Sequence, residues 1–185
     1  ERAQKKPVRE GLLIGPGGLC DYVIVNTGYL FKIPDTLSYE EASLTEPLAC
    51  VVHSVTKANI QLGEDVVVIG GGIMGQYHVM LAKRRGARVI MSEVDESRRT
   101  LARKLGADIT FNPMEKDPVE YVKSLTEGRG ADVVFNTTAI PSVVPQAIAM
   151  TGKAGRMIQY SSMHPDAPAP VSPQMLHGNE PILTG

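Results

Sequence analysis

Two rhythms of apolar and polar residues run along this chain. Residues 1–20 carry Gly, Pro and basic side chains with no clear period. The β-branched trio Val23, Ile24 and Val25 then predicts a strand over Asp21–Asn26. Phe31 to Asp35 reads as an extended passage ending in a turn, because the residue before Pro34 is pushed out of the helical region. Ser38 stands three residues before Glu41, the capping-box spacing, which starts a short helix. Pro47 suits the first turn of a further helix. There Leu48, Val51, Val52 and Val55 recur at i, i+3, i+4 and i+7, predicting one apolar stripe.

From residue 65 the rhythm becomes a regular alternation of short apolar runs and amphipathic stretches. Val66–Ile69 is a continuous apolar strand, followed by a glycine cluster. A helix follows with Met74, Tyr77, His78 and Leu81 on one face and a stop at Gly86. Arg88–Met91, Ile109–Phe111, Asp132–Asn136 and Arg156–Tyr160 read as the next strands. Ser97–Leu105, Pro118–Glu127 and Pro141–Met150 read as the helices between them, with Gly106 a C-terminal stop and Val119, Val122 and Leu125 inward. A Pro-rich loop at 165–173 leads to Pro181–Thr184, the opening of a sixth strand. Apolar strands joined by helices predict an α/β fold with a doubly wound parallel sheet, buried on both faces. No internal repeat recurs at a fixed period.

Composition narrows the function classes. Hydrophobic residues are 43% and charged residues 21% of 185, enough for a core and too apolar for wholesale disorder. The formal charge of -1 argues against partners held by electrostatics, so neither nucleic acid nor an anionic membrane is expected. No apolar run approaches the roughly 18 residues that span a bilayer. No charged-then-apolar signal segment opens the chain. Its first residue is Glu1 rather than Met, so a processed or truncated product is expected. Two cysteines, Cys20 and Cys50, make neither a disulfide framework nor a four-cysteine zinc lobe, and a reducing cytoplasm is the expected compartment.

The chemistry gathers at Gly70-Gly71-Gly72-Ile73-Met74-Gly75, directly after the strand ending at Ile69. Glycines 70, 72 and 75 satisfy GxGxxG. Gly70 makes the tight turn, Gly72 lets a pyrophosphate approach the backbone, and Gly75 lets helix and strand pack closely. The N–H groups of Ile73 and Met74 would face the phosphates, aided by the helix dipole. A glycine-rich turn can also be only a turn; between a strand and a helix it points to a dinucleotide. Glu93, 18 residues after Gly75 at the end of the second strand, has the place and distance to hydrogen-bond the adenosine ribose. Asp95 and Glu96 are nearby alternatives. Arg98 leaves room for NADP, and it can equally stack on adenine, so NAD is favoured.

The chain also resembles the zinc-containing medium-chain alcohol and polyol dehydrogenases, the sorbitol-dehydrogenase-like branch in particular. The resemblance rests on Gly17-Gly18-Leu19-Cys20-Asp21-Tyr22, Phe31-Lys32-Ile33-Pro34-Asp35, Tyr39-Glu40-Glu41-Ala42 and Glu46-Pro47-Leu48-Ala49. It continues through the glycine turn, Lys104-Leu105-Gly106-Ala107-Asp108, Gly128-Arg129-Gly130-Ala131-Asp132-Val133-Val134 and Leu183-Thr184-Gly185. It implies that residues 1–45 are the tail of the first part of a chaperonin-like β-barrel catalytic domain. Residues 46–185 are then an NAD-binding Rossmann domain, cut at its sixth strand. It also implies that Thr137 and Thr138, with Tyr160, Ser161 and Ser162, surround the nicotinamide ribose and carboxamide, although ordinary loop polarity gives the same residues. Glu46 matches an acid that sorbitol-type members place at the catalytic zinc; at a helix start it is equally a plain dipole partner. The family's Gly-His-Glu motif and structural-zinc cysteine cluster do not occur here. The resemblance therefore implies a hydride transfer between a secondary alcohol or polyol and NAD, zinc-assisted in the intact enzyme. For this stretch alone it implies no bound zinc and no turnover. A homo-oligomer paired through the sheet edge is the expected assembly.

Other residues read as structural. Cys50, His53 and His78 are expected to be packed, Arg129 and Arg156 to be surface charges, and His164 to lie in the loop after the fifth strand. His177 shows no ligand spacing. Threonine dehydrogenases share the Glu-Pro and are the runner-up reading. A zinc-free quinone-oxidoreductase relative and a nucleotide-sensing module without catalysis remain as alternatives. A methyltransferase also uses a glycine-rich first turn, but it gives no reason for the matches from Gly128 to Gly185.

Overall fold

The computed structural model describes residues 21–164, 166 and 168–185. The basic, glycine-rich opening and the Gly17-to-Cys20 part of the family motif lie outside them. The chain divides into two units between Ala42 and Ser43.

In the first unit, Ser38 and Glu41 form the reciprocal capping box at the start of helix α1 (Tyr39–Ala42). Glu41 N–H donates to the Ser38 hydroxyl at 3.2 Å, and Ser38 N–H donates to the Glu41 carboxylate at 3.0 Å. The strand expected over Asp21–Asn26 is absent. Asn26 instead caps a 3-10 turn, Thr27–Tyr29, its side chain accepting from Gly28 N–H. Val23, Ile24 and Val25 are exposed. β-branched residues favour a strand only where a neighbour supplies the ladder and a surface to pack on, and no described residue does so here. No barrel strand occurs among the described residues of this unit.

The second unit opens with helix α2 (Thr45–Ala58) and continues as strictly alternating elements: β1 (Asp65–Ile69), α3 (Ile73–Arg84), β2 (Arg88–Ser92), α4 (Glu96–Leu105), β3 (Ile109–Phe111), α5 (Pro118–Leu125), β4 (Ala131–Asn136), α6 (Val143–Met150), β5 (Thr151–Gln159), α7 (Pro173–Asn179) and β6 (Ile182–Thr184). The six strands form one parallel sheet in the order β3-β2-β1-β4-β5-β6. Alternating side chains of β1, β2, β4 and β5 feed two cores. Val66, Val68, Val89, Met91, Val133 and Phe135 pack against α2 and α3. Val67, Ile69, Ile90, Val134 and Met157 pack against Val122 of α5 and Ala147 and Ile148 of α6. Burial on both faces is why these strands read as unbroken apolar runs, each fully buried side chain being worth roughly 1.5–3 kcal/mol.

Three local readings need correction. The buried face of α2 is Val51, Ser54, Val55 and Ala58, and Val52 is exposed: the real stripe is rotated from the apolar letters because small Ser and Ala seat the helix closely. Strand β5 begins at Thr151, five residues before the expected start. Its register jumps from Thr151 to Arg156 opposite Ala131 and Val133, so 152–155 bulge out of the ladder and interrupt the apolar run. Within the stretch expected as a Pro-rich loop, Ser172 and Pro173 open helix α7: the Ser172 hydroxyl accepts from Met175 N–H, and proline takes the first helical position.

The chain leaves β1 for β2 and β3 on one side and returns to β4 on the other. That reversal opens a crevice at the carboxyl ends of β1 and β4.

Candidate nucleotide site

The glycine turn sits at the mouth of this crevice. Gly70 has φ +95°, and a Cβ there would lie 2.8 Å from the Thr138 methyl. A Cβ on Gly75 would lie 1.9 Å from the Gly70 carbonyl oxygen, the closest approach of helix to turn. Gly72 is the opposite case: its Cβ would meet nothing within 4 Å. The turn is thus tight where protein must pack and open where a ligand must come. Gly72 is also the N-cap of α3 and offers no side-chain cap, so the first N–H groups of that helix, including Ile73 and Met74, keep their donor capacity for a ligand. Ile73 is half exposed beside them.

Glu93 stands just past β2 and is only 6% exposed. Its Oε2 accepts Gly71 N–H at 2.5 Å and its Oε1 accepts Asp95 N–H at 2.9 Å. Each oxygen keeps a further lone pair. The two alternative acids are committed elsewhere: Asp95 caps α4, and Glu96 is paired with Arg99 and Arg103. Arg98 is more than half exposed, with Nη1 3.9 Å from Glu93 Oε2. Gly70, Gly72, Glu93, Arg98, Thr137 and Thr138 line one pocket of about 340 Å³.

Two residues that pattern reading passed over complete the turn. A Cβ on Gly71, the variable position of the motif, would lie 2.8 Å from Glu93 Cγ, so this glycine admits the carboxylate. Buried Gln76 donates from Nε2 to the carbonyls of Gly71 and Arg98, both at 2.9 Å, tying the turn to α4. A glycine between the motif's first two glycines was a signal for the first; a polar letter on a buried helix face was the only signal for the second.

Thr137 and Thr138 reach the pocket with their hydroxyls already engaged. Thr137 donates to the Ile69 and Gly70 carbonyls, and Thr138 donates to Asn136 Oδ1. Tyr160 does not join this pocket. It lines a separate cleft of about 580 Å³ with Glu46, Cys50, His53, Ser54 and Lys57 of α2. Its hydroxyl lies 3.4 Å from the Met74 sulfur, which places Met74 as a packing partner there. Burial, and then the nearby Cys50 and Glu46, raise the Tyr160 phenol's pKa. Ser161 and Ser162 line neither cavity; Ser161 is bound through its backbone, its carbonyl accepting from Gln159.

Cys50 and His53 are exposed on this cleft, not packed, because they lie outside the buried Val51, Ser54, Val55 and Ala58 face of α2. Cys50 donates to Glu46 Oε1 at 3.2 Å, a bond that raises the thiol's pKa. Arg156 is no surface charge either: it pairs with Glu64 at 2.5 Å, both side chains under one-fifth exposed. His78 is fully buried, as expected, its ring between Met74 O at 2.8 Å and Ser54 Oγ at 2.9 Å. Desolvation holds its pKa down to about 4.

The family model described as zinc-binding dehydrogenase matches residues 74–185, more than half of the chain. This chain belongs to the zinc-binding dehydrogenase family. Among its relatives in that family, D-arabitol-phosphate dehydrogenase of Enterococcus avium is 36% identical over 146 residues, covering 77% of this chain and 42% of that protein. (R,R)-butanediol dehydrogenase of Bacillus subtilis is 37% identical over 152 residues, covering 82% and 44%. The chain spans about two-fifths of the length of these relatives. Among solved structures, a chain from Sinorhizobium meliloti described as a zinc-binding dehydrogenase and bound to NADP superposes with a TM-score of 0.80 at 30% identity, over 84% of this chain and 46% of that one. The butanediol dehydrogenase structure from Bacillus subtilis gives 0.74 at 32%, over 83% and 44%.

Zinc itself does not fit the described residues of this family member. A catalytic zinc takes three protein ligands and an open position. No three His, Cys, Asp or Glu side chains converge on one point among the described residues, and Glu46 already accepts the Cys50 thiol.

Proposed function

We propose that this chain is the nucleotide-binding portion of a dehydrogenase that moves a hydride between a secondary alcohol or polyol and NAD. The observation that carries the reading is the turn itself: closed at Gly70 and Gly75, open at Gly72, with the Glu93 carboxylate drawn into it by Gly71 N–H. Ile73 and Met74 N–H receive the pyrophosphate, and Glu93 accepts the adenosine ribose hydroxyls through its remaining lone pairs. Thr137 and Thr138, together with Tyr160, Ser161 and Ser162, flank the other half, at the ends of β4 and β5. When bound, the nicotinamide supplies the hydride acceptor. The chain's part is to hold it in one orientation and shield it from water. In the intact enzyme Glu46 would be one ligand of a zinc whose other ligands come from outside the described residues. The relatives named for sugar alcohols, a diol and L-threonine share a secondary alcohol in their substrates' names or chemistry, which supports that substrate class.

NADP is the second reading, favoured by one feature: exposed Arg98 at the pocket rim beside Glu93, in a family with an NADP-bound member. Titration of the protein with both nucleotides separates the two; tighter NADP binding would make Arg98 the dominant group. A cytoplasmic location rests on the two cysteines, which make no disulfide framework. No helix among the described residues is long and apolar enough to cross a membrane. Pairing of two copies through β6 rests on the exposed Ile182 and Leu183 of that edge strand.

A further inference from the structure

Asn136 ends β4 with no exposed surface at all, yet it faces neither cavity. Its side chain and carbonyl bind the segments that follow β4 and close β5. Its Oδ1 accepts Thr138 N–H at 3.1 Å and the Thr138 hydroxyl at 2.8 Å. Its Nδ2 donates to Gln159 Oε1 at 2.9 Å, and Gln159 Nε2 passes the connection on to the Ser161 carbonyl at 2.7 Å. Its own carbonyl accepts Tyr160 N–H at 3.0 Å. One buried amide therefore joins Thr138, in the nucleotide pocket, to Gln159 and Tyr160, which line the α2 cleft.

A dinucleotide crossing this sheet runs from the end of β2, where Glu93 stands, over β1 to the ends of β4 and β5. The adenosine half lies at Glu93 and the glycine turn; the nicotinamide half lies where the Asn136 network holds two loops in register. We propose that Asn136 and Gln159 act together as positioning residues for the nicotinamide half of the nucleotide, fixing the β4 and β5 loops against each other. This rests on the dinucleotide reading above. A buried polar network whose members are all satisfied specifies one arrangement, and breaking one link frees the loops it joined.

The test compares NAD with AMP, which carries only the adenosine half, by titration calorimetry on the whole chain. Gln159→Met keeps the side-chain length and removes both amide bonds at a half-buried position. NAD affinity should fall about fivefold while AMP affinity stays within about twofold of the parent's. Asn136→Val should produce a selective loss at least as large, since it also frees Thr138, and the double variant should lose less than the sum of the two, because the two residues share one link. Equal losses for NAD and AMP, or no loss for either, would overturn the proposal. So would additive effects, which would mean that Gln159 touches the ring on its own account. If Asn136→Val does not fold, Gln159→Met with its melting curve still decides. A parent that binds neither nucleotide defeats the dinucleotide reading itself, whereas a parent that binds both with an unchanged ratio in Gln159→Met defeats this inference alone.

Discussion

Replacing Gly75 with alanine adds one methyl group at the tightest point of the molecule. The new Cβ would lie 1.9 Å from the Gly70 carbonyl oxygen, 2.9 Å from its carbonyl carbon and 3.2 Å from Thr137 Oγ1. Restoring ordinary contact requires the start of α3 to move by about 1 Å or more, since neither partner is the free end of a flexible side chain. The helix gains about 1 kcal/mol from alanine's better propensity. Overpacking against backbone costs about 3 kcal/mol, the upper part of its usual range. The net loss of about 2 kcal/mol lowers the melting temperature by about 4–8 °C for a domain of this size. Nucleotide affinity should fall at least about tenfold as well, because the N–H groups that meet the phosphates move with the helix. Gly72→Ala is the matched control. Gly72 has φ −65° and open space at its Cβ, so that variant should melt within about 1 °C of the parent. Scanning calorimetry and NAD titration of both variants check the reasoning. Gly75→Ala melting at or above the parent and binding NAD equally would refute it.

Glu93→Ala should narrow the preference for NAD over NADP, since a 2′-phosphate would no longer face a carboxylate; an unchanged ratio in paired titrations would remove Glu93 from cofactor choice. His78 predicts a pH effect on stability. Its folded pKa, near 4, lies below the ordinary histidine value, so its contribution is complete above about pH 6.5 and is lost as pH falls toward 4. The loss is on the order of 3 kcal/mol at most. Melting temperatures from pH 7 to 4 should fall more steeply for the parent than for His78→Gln, and parallel curves would contradict this. Chelator-washed protein should hold no stoichiometric zinc and should form no NADH from a panel of polyols; one tightly held zinc per chain, or measurable turnover, would show that this chain builds a complete metal site around or apart from Glu46.

The parallel sheet was legible because burial on both faces leaves a mark that survives any detail of packing: strand-length apolar runs such as Val66–Ile69, separated by helices with glycine stops at Gly86 and Gly106. The glycine turn was legible for the same reason, since Gly70 and Gly75 sit where no side chain fits. What failed depended on partners distant in sequence. Val23, Ile24 and Val25 have strand character but no described ladder to join. The buried stripe of α2 runs through Ser54 and Ala58, which no hydrophobic periodicity marks. Cys50 and His53 look like core letters until the helix is oriented, and then they face a cleft. Gln76 and Asn136 act through hydrogen bonds to backbone and amide groups many residues away, and polar letters in apolar elements do not announce such partners.

NAD titration calorimetry on the parent and on Gly72→Val tests most directly whether the Gly70–Gly75 turn is the nucleotide site. A Cβ at this position meets nothing within 4 Å, so the branched side chain starts into open space and the variant should fold. It would occupy the place where the pyrophosphate approaches the backbone, so one NAD should bind per parent chain and none per variant chain at the same concentrations. NAD binding to Gly72→Val with the parent's affinity would contradict the account and put the site elsewhere on the sheet.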